Sequence, residues 1–112
     1  MEHFNTINRI AILVYPKKPF IDWLKYVDPE VPLFDDIDDS KTVYLLPEKV
    51  CEQYEKYLKK ICTKVFENQL LAWFTDPSLW PKDRSWKVFQ EWFHVEMHSI
   101  IFDTVQGDIE KE

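Results

Sequence analysis

The chain has 112 residues, a formal net charge of −6 and a single glycine, and these values exclude several kinds of function. The length predicts one domain over residues 1–112, large enough to bury a hydrophobic core without disulfides or structural metals. The negative charge argues against a nucleic-acid partner, because phosphate backbones repel it, and one glycine excludes glycine-rich phosphate-binding loops.

Aromatic residues make up 16% of the chain and include five tryptophans. Because each ring buries a large area, we expect a core rich in aromatic contacts. The apolar run at 9–16 is too short to cross a bilayer, and no basic stretch precedes it as in a signal peptide. Cys51 and Cys62 fall in one predicted helix, about 16 Å apart, which is too far for a disulfide. These features predict a cytoplasmic protein with reduced thiols and no membrane partner.

The first part of the chain predicts a strand followed by a short helix. Residues 9–16, RIAILVYP, are apolar on both faces and closed by proline, which is typical of an inner strand. Pro19 suits the first turn of a helix, and the apolar spacing over 20–27 fits one helical face. Pro29 then ends the helix.

The rest of the chain predicts one more strand and a long helical layer. Residues 28–40 are acidic and proline-containing, which indicates a loop. A second strand is predicted over 42–46, again closed by proline. Apolar residues then recur with a period of about 3.6 over 47–74 and over 85–105, which predicts two helices. The tail at 106–112 is polar, and we expect it to fray.

These elements give an α+β fold in the order β-α-β-α-α, with a two-stranded sheet packed against a helical layer. A two-stranded sheet is only marginally stable by itself. The helices can cover it, a further strand can lie at 2–7 or 31–34, or two copies of the chain can join their sheet edges. The last arrangement predicts a homodimer with a shared sheet. The sequence leaves the relative direction of the strands open.

The stretch FHVEMH, 93–98, predicts a metal site if it is helical. His94 and His98 are then one turn apart on one face, whereas Glu96 lies on the other side of the helix. Glu91, one turn before the first histidine, shares that face. One carboxylate and two imidazoles suit a zinc ion with an open fourth position. The alternative is that both histidines pair with acids or backbone groups at the edge of the core.

A second candidate site is the loop WPKDRSW, 80–86, in which cations stand between tryptophans. Tryptophan and arginine are typical of binding hot spots, which favours a recognition loop around Trp80, Lys82 and Arg84. The alternative is internal, with the arginine tying the loop to an acid such as Asp76 or Glu91 and stacking on a ring.

Two more cations, Lys17 and Lys18, directly follow the first predicted strand. If this pair meets Trp80, Lys82 and Arg84, the five residues form a site for an anion or an acidic partner on an otherwise acidic protein.

Several stretches resemble a family of small bacterial proteins of uncharacterised function, namely AILVYPKKPFIDW, VYLLPE, WFTDPSLWPKDRSW and EWFHVEMHSIIFD. Together they span most of the chain. The resemblance implies a bacterial, cytoplasmic origin, and it carries over no activity, ligand or site residue.

No catalytic constellation is recognisable in the sequence. We therefore predict a non-enzymatic binding or interaction module that forms a homodimer and needs no cofactor. The alternative is a small metal-binding protein or a metal-dependent enzyme that holds zinc with Glu91, His94 and His98.

Overall fold

Residues 3–31 and 41–112 are described by a computed structural model of the chain. Short 3-10 turns at Glu48–Gln53 and Pro77–Leu79 precede the second and third helices. In chain order the other elements are β1 Asn5–Thr6, β2 Arg9–Pro16, α1 Lys18–Val27, β3 Thr42–Pro47, α2 Tyr54–Leu71, α3 Trp86–Trp92, β4 Phe93–His98 and β5 Phe102–Asp103. None of the helices in these two ranges is long and apolar enough to cross a membrane.

A small antiparallel sheet packs against the helices, which confirms the predicted α+β class. The strands predicted at 9–16 and 42–46 both form and pair antiparallel as β2 and β3. β2 is the middle strand, with β3 on one side and β4 on the other. The element order departs from β-α-β-α-α, because β4 adds a third strand to the predicted pair and β1 and β5 form a second, two-stranded sheet.

The alternation of side chains along β2 sets which face of the sheet meets the helices. Ile10, Ile12 and Val14 have no exposed surface and point into the core. Leu13 and Tyr15 point to the opposite face and are half-buried. The predicted inner position is therefore confirmed within the sheet, while the helices cover only one of the two faces of β2.

The helix predicted over 85–105 is wrong beyond Trp92. Ser85 caps α3, since its side chain accepts a hydrogen bond from the N–H of Val88, and the chain becomes extended at Phe93 with φ −133° and ψ 140°. From there apolar and polar residues alternate strictly through FHVEMH, which is the period of a strand. Pairing with β2 gives partners to backbone groups on that side of β2 and buries Phe93.

Aromatic rings from all three helices and from β4 join into one cluster at the centre of the core. Their centroids lie between 5.1 and 6.3 Å apart, the range in which tilted and edge-to-face contacts are favourable. The rings are those of Phe20, Trp23, Phe66, Phe74, Trp86, Phe89, Trp92 and Phe93. The high aromatic content thus builds the interior, as the composition predicts.

A two-stranded arm of β1 and β5 continues the pairing of β2 with β4. The register shifts by one residue between the two parts, from Ala11 opposite His98 to Thr6 opposite Phe102, so one extra residue lies on the N-terminal strand. A backbone hydrogen bond of 3.0 Å from Ile7 bridges the shift. The molecule measures 53 × 29 × 24 Å, so it is elongated.

The remaining predictions concern the loop, the tail and the thiols. Most of the predicted loop at 28–40 lies outside the described residues. The long helix predicted over 47–74 divides into a 3-10 turn and α2, with Cys51 in the turn, Cys62 in the helix and both thiols free. Residues 106–112 are exposed and form neither helix nor strand, and their predicted fraying stays a prediction.

A polar network fastens β3 to α2. The Tyr44 hydroxyl donates to Asn68 Oδ1 at 2.6 Å and accepts from Gln69 Nε2 at 2.8 Å. Gln69 is the buried polar residue of the described core, with 6% of its surface exposed. Without the hydroxyl this amide would lose the partner that satisfies it.

We expect Tyr44→Phe to lower the free energy of unfolding by about 1–3 kcal/mol at neutral pH, because a buried donor loses its partner. Burial raises the pKa of Tyr44 more than the hydrogen bond from Gln69 lowers it. The unfolded tyrosine therefore ionises first, and wild-type stability falls as pH rises above about 10. The difference in the free energy of unfolding between wild type and Tyr44→Phe should therefore become smaller above that pH.

Urea unfolding of both proteins at neutral pH and above pH 10 checks this expectation. Tyr26→Phe is the matched control, since Tyr26 is exposed and should change stability little at either pH. A Tyr44→Phe protein as stable as wild type at neutral pH would contradict the role of the network.

Candidate functional site

The outer face of the sheet is the surface turned away from the helices. Cross-strand register places Val43 beside Leu13 and Leu45 beside Ala11, and paired residues share one face. The residues of this outer face are Lys41, Val43 and Leu45 at β3, Ala11, Leu13 and Tyr15 on β2, and His94, Glu96 and His98 on β4. Its β3 side is apolar and its β4 side is polar.

At one end of the outer face, Tyr15 joins a histidine to a lysine. Its ring stacks on that of His94 with centroids 4.8 Å apart and 25° between the planes. The Nζ atom of Lys41 lies 4.8 Å from the centroid of the same tyrosine ring. A cation over an aromatic ring is favourable, so these three side chains form one packed row across the sheet.

At the other end, His98 pairs with Glu96. Their Nε2 and Oε2 atoms are 3.2 Å apart, and both side chains are about half exposed. Residues two apart share a face on a strand, so the prediction that Glu96 lies on the far side of a helix is wrong. His98 thereby follows the alternative expectation, a histidine paired with an acid at the edge of the core.

The structure does not bring together the three predicted zinc ligands on one helical face. Glu91 lies in α3, whereas His94 and His98 lie in β4, where four residues span about 13 Å along a strand. Within residues 3–31 and 41–112, no group of three His, Cys, Asp or Glu residues is placed to hold a metal ion. The helical premise of the zinc hypothesis is therefore wrong, and the described residues offer no other centre.

Arg84 has internal partners, as the alternative for the tryptophan loop expects. Its guanidinium lies 3.3 Å from Glu67 Oε1, donates to the carbonyl of Pro81 at 2.8 Å and sits 5.9 Å from the Trp80 ring centroid. The acid, Glu67, is on α2, so the prediction of Asp76 or Glu91 as the partner is wrong. Asp76 accepts hydrogen bonds from Ser78 instead, which hold the pKa of its carboxyl below the ordinary value.

The hydrogen-bond partners of Lys17 differ from those of Arg84 in the tryptophan loop. Its Nζ atom donates to the carbonyl of Gln90 at 2.9 Å, and its backbone N–H donates to the carbonyl of Trp92 at 2.7 Å. Lys18 and Lys82 are exposed. In the described part of the chain no hydrogen bond or ion pair links these lysines to one another or to Arg84, so the shared anion site stays a prediction.

Exposed apolar residues extend from the outer face along the arm, and none of them is among the predicted site residues. Two shallow cavities lie along this region, one lined in part by Leu45, Ile7 and Ile109 and the other in part by Ile7, Phe4 and Val105, with polar residues between them. The exposed members are Phe4, Val43, Leu45, Ile100, Phe102, Val105 and Ile109. We call these seven residues together the apolar strip. Its sequence signal is the recurrence of large apolar residues in short strands and in the irregular segments beside them.

Comparison of the chain with protein-family models, with curated proteins and with solved structures gave no match. The outer face and the apolar strip are therefore interpreted from their own chemistry.

Proposed function

We propose that the protein is a non-enzymatic interaction module that works as a homodimer, in which the β3 strands of two copies pair edge to edge. The observation that carries this proposal is the apolar, uncharged outer strand of the sheet. β3 reads TVYLLP, and its outward residues Val43 and Leu45 are exposed. An uncharged edge with free backbone groups is a template for a further strand.

The two edges of the sheet differ in whether they carry the polar side chains that prevent a further strand from pairing with them. β4 carries His94, Glu96 and His98 on its outer side, and polar side chains discourage strand addition. β3 carries no ionisable group apart from the phenol of Tyr44, which is tied to α2. Within the described residues, no strand covers the outer edge of β3. Among residues 3–31 and 41–112, the unprotected edge is therefore β3.

A second copy of the chain fits this edge better than an unrelated partner because the pairing is self-complementary. Antiparallel pairing of one strand with itself places a two-fold axis through the middle of the strand. With the axis at Tyr44, Val43 of each copy lies opposite Leu45 of the other. The result is a six-stranded antiparallel sheet with an apolar centre and polar rims, the arrangement usual in stable interfaces.

We also propose that the protein works in the bacterial cytoplasm. Both cysteines are free, and Cys62 is buried in the core, which is typical of proteins kept in a reducing compartment. The resemblance to a bacterial family supports the same assignment.

We expect wild-type protein to elute at twice the monomer mass of 13.6 kDa in size-exclusion chromatography with light scattering. Val43→Lys/Leu45→Lys should raise the dimer dissociation constant at least about a hundredfold, because like charges then face each other across the axis. The substituted positions are exposed in the monomer, so the fold should persist, which circular dichroism checks.

Leu71→Lys/Leu79→Lys is the matched control. These leucines are 49% and 43% exposed, close to 56% for Val43 and 47% for Leu45, but they lie away from the sheet. A wild-type protein that stays monomeric across the concentration series would refute the proposal. Equal dimer dissociation constants for Val43→Lys/Leu45→Lys and Leu71→Lys/Leu79→Lys would also refute it.

A further inference from the structure

The C-terminal tail, residues 106–112, turns back along the molecule after β5. That strand ends at Asp103, which lies opposite Asn5 near the start of the chain. Ile109 nevertheless lines the same cavity as Leu45, which belongs to the outer face of the sheet. The tail therefore runs from the end of the arm back to the outer face.

Two features of the chain direct this turn. The side chain of Asp103 accepts a hydrogen bond of 2.9 Å from the backbone N–H of Val105, and such a local contact favours a turn. Gly107, the only glycine of the chain, has φ +104°, a conformation that strains any residue with a side chain. A Cβ atom added to it would meet nothing within 4 Å. The turn thus needs glycine for its backbone conformation and not for close packing.

The cavity between the tail and the sheet has apolar side chains on both of its sides. Its volume is about 330 Å³. Ile109 lines it from the tail, and Ile7 and Leu45 line it from the strands. Ile109 is 60% exposed, Leu45 is 47% exposed and Ile7 is half-buried. All three side chains therefore keep apolar surface that a movement of the tail toward the sheet would bury.

Opposite charges line the same cavity. Arg9 belongs to β2, and Asp108 precedes Ile109 in the tail. The guanidinium of Arg9 donates only to its neighbour Asn8, at 2.9 and 2.7 Å, and in the described part of the chain it forms no ion pair. The tail thus presents an acid next to an apolar residue, and the sheet presents a cation and an apolar residue to the same cavity. The two sides are complementary.

We propose that the tail is a strap that closes over this cavity and controls access to Leu45. In the closed form Ile109 packs on Leu45 and Ile7, and Asp108 pairs with Arg9. The entropy lost on ordering the tail is of the same order as the gain from burying these side chains. Open and closed forms are therefore both populated. The open form presents this part of the apolar strip to a partner, and the closed form withholds it.

The strap goes beyond the proposed dimer and is independent of it. Pairing of two β3 strands uses backbone groups at the edge of the sheet, whereas the strap uses side chains on the outer face of one chain. Light scattering reports on the dimer, and the contacts of Ile109 report on the strap. Either proposal can therefore fail while the other holds.

Methyl NMR of the full-length protein tests the strap. We expect nuclear Overhauser contacts between the methyl groups of Ile109 and Leu45. Deletion of residues 108–112 should raise the relaxation of the Leu45 methyl groups by a soluble paramagnetic agent about twofold, because the closed form is then lost. Val43 does not line the cavity, so its methyl groups provide an internal control in the same spectra.

Matched variants locate the contact. Ile109→Ser should raise the relaxation of Leu45 as the deletion does, whereas Ile100→Ser should not, since Ile100 is 69% exposed but lies outside the cavity. Asp108→Lys places a like charge beside Arg9 and should have the same effect, in contrast to Glu110→Lys, which changes a residue outside the cavity.

Four results would overturn the proposal. They are the absence of a contact between Ile109 and Leu45, equal relaxation of Leu45 with and without the tail, and equal effects of the two variants within either matched pair. The fourth is a contact that appears only between separately labelled chains, because the tail would then lie on a second copy.

Discussion

Replacing Phe66 with alanine is expected to lower the free energy of unfolding by about 3–5 kcal/mol. Phe66 has no exposed surface and lies at the centre of the aromatic cluster. Its ring centroid is 5.1 Å from that of Phe93, 5.4 Å from Trp92 and 6.3 Å from Phe89. Alanine leaves a cavity between α2, α3 and β4, which close-packed neighbours fill only in part. The free energy of unfolding of a domain is typically about 5–15 kcal/mol, so this loss is a large part of it.

Equilibrium unfolding in urea measures the loss. Phe66→Leu retains most of the apolar volume and should cost less than alanine at the same site. Phe102→Ala, on the exposed arm, removes the same atoms without opening a core cavity. A Phe66→Ala protein no less stable than Phe102→Ala would contradict the placement of the aromatic cluster.

Ile12→Ala is expected to destabilise the protein by about 2–5 kcal/mol. Ile12 lies in the middle strand, opposite Tyr44 on β3 and Met97 on β4, and its side chain has no exposed surface. Its loss removes apolar contacts at the point where both strand pairs and the helices meet. The lost stability therefore comes from side-chain packing, since the backbone hydrogen bonds of β2 remain.

Leu13→Ala is the control that separates the two faces of the sheet. Leu13 follows Ile12 directly but points to the half-exposed outer face. We expect a smaller loss for this variant, because water already reaches part of the side chain. Thermal or urea unfolding of the two proteins at one concentration gives the comparison. Equal losses would mean that the outer face is as tightly packed as the core.

The first half of the fold could be predicted because its signals are local. The strand at 9–16 is a β-branched run bounded by proline, and the helix after Pro19 has its apolar residues on one face. The second strand, 42–46, has the same proline stop. Each of these patterns favours one structure alone, so sequence and structure agree on them.

The region after Trp92 could not be assigned from periodicity, because two periods fit it. Phe89, Phe93 and Met97 are spaced as on a helix, yet FHVEMH also alternates as a strand does. The choice depends on the edge of β2, which offers backbone partners far away in the sequence. Tertiary pairing therefore overrides a local pattern. The mistaken helix in turn placed His94 and His98 on one helical face and created the zinc hypothesis.

The candidate surfaces could be predicted only in part for the same reason. The partner of Arg84 is Glu67, which the fold brings near from a different helix. The outer face of the sheet combines residues of β2, β3 and β4. The sequence identifies the residue types that can bind, but the strand pairing decides which of them meet.

The pairing of β2 with β4 has a consequence for synthesis of the chain. Residues 11–16 of β2 find their partners at residues 93–98, so the sheet closes a loop of about eighty residues. Such distant pairing slows folding. On the ribosome, the middle strand stays unpaired on one side until residue 98 has emerged. A nascent chain stalled before that point should expose an apolar strand to chaperones, and release of the last part should trigger cooperative closure.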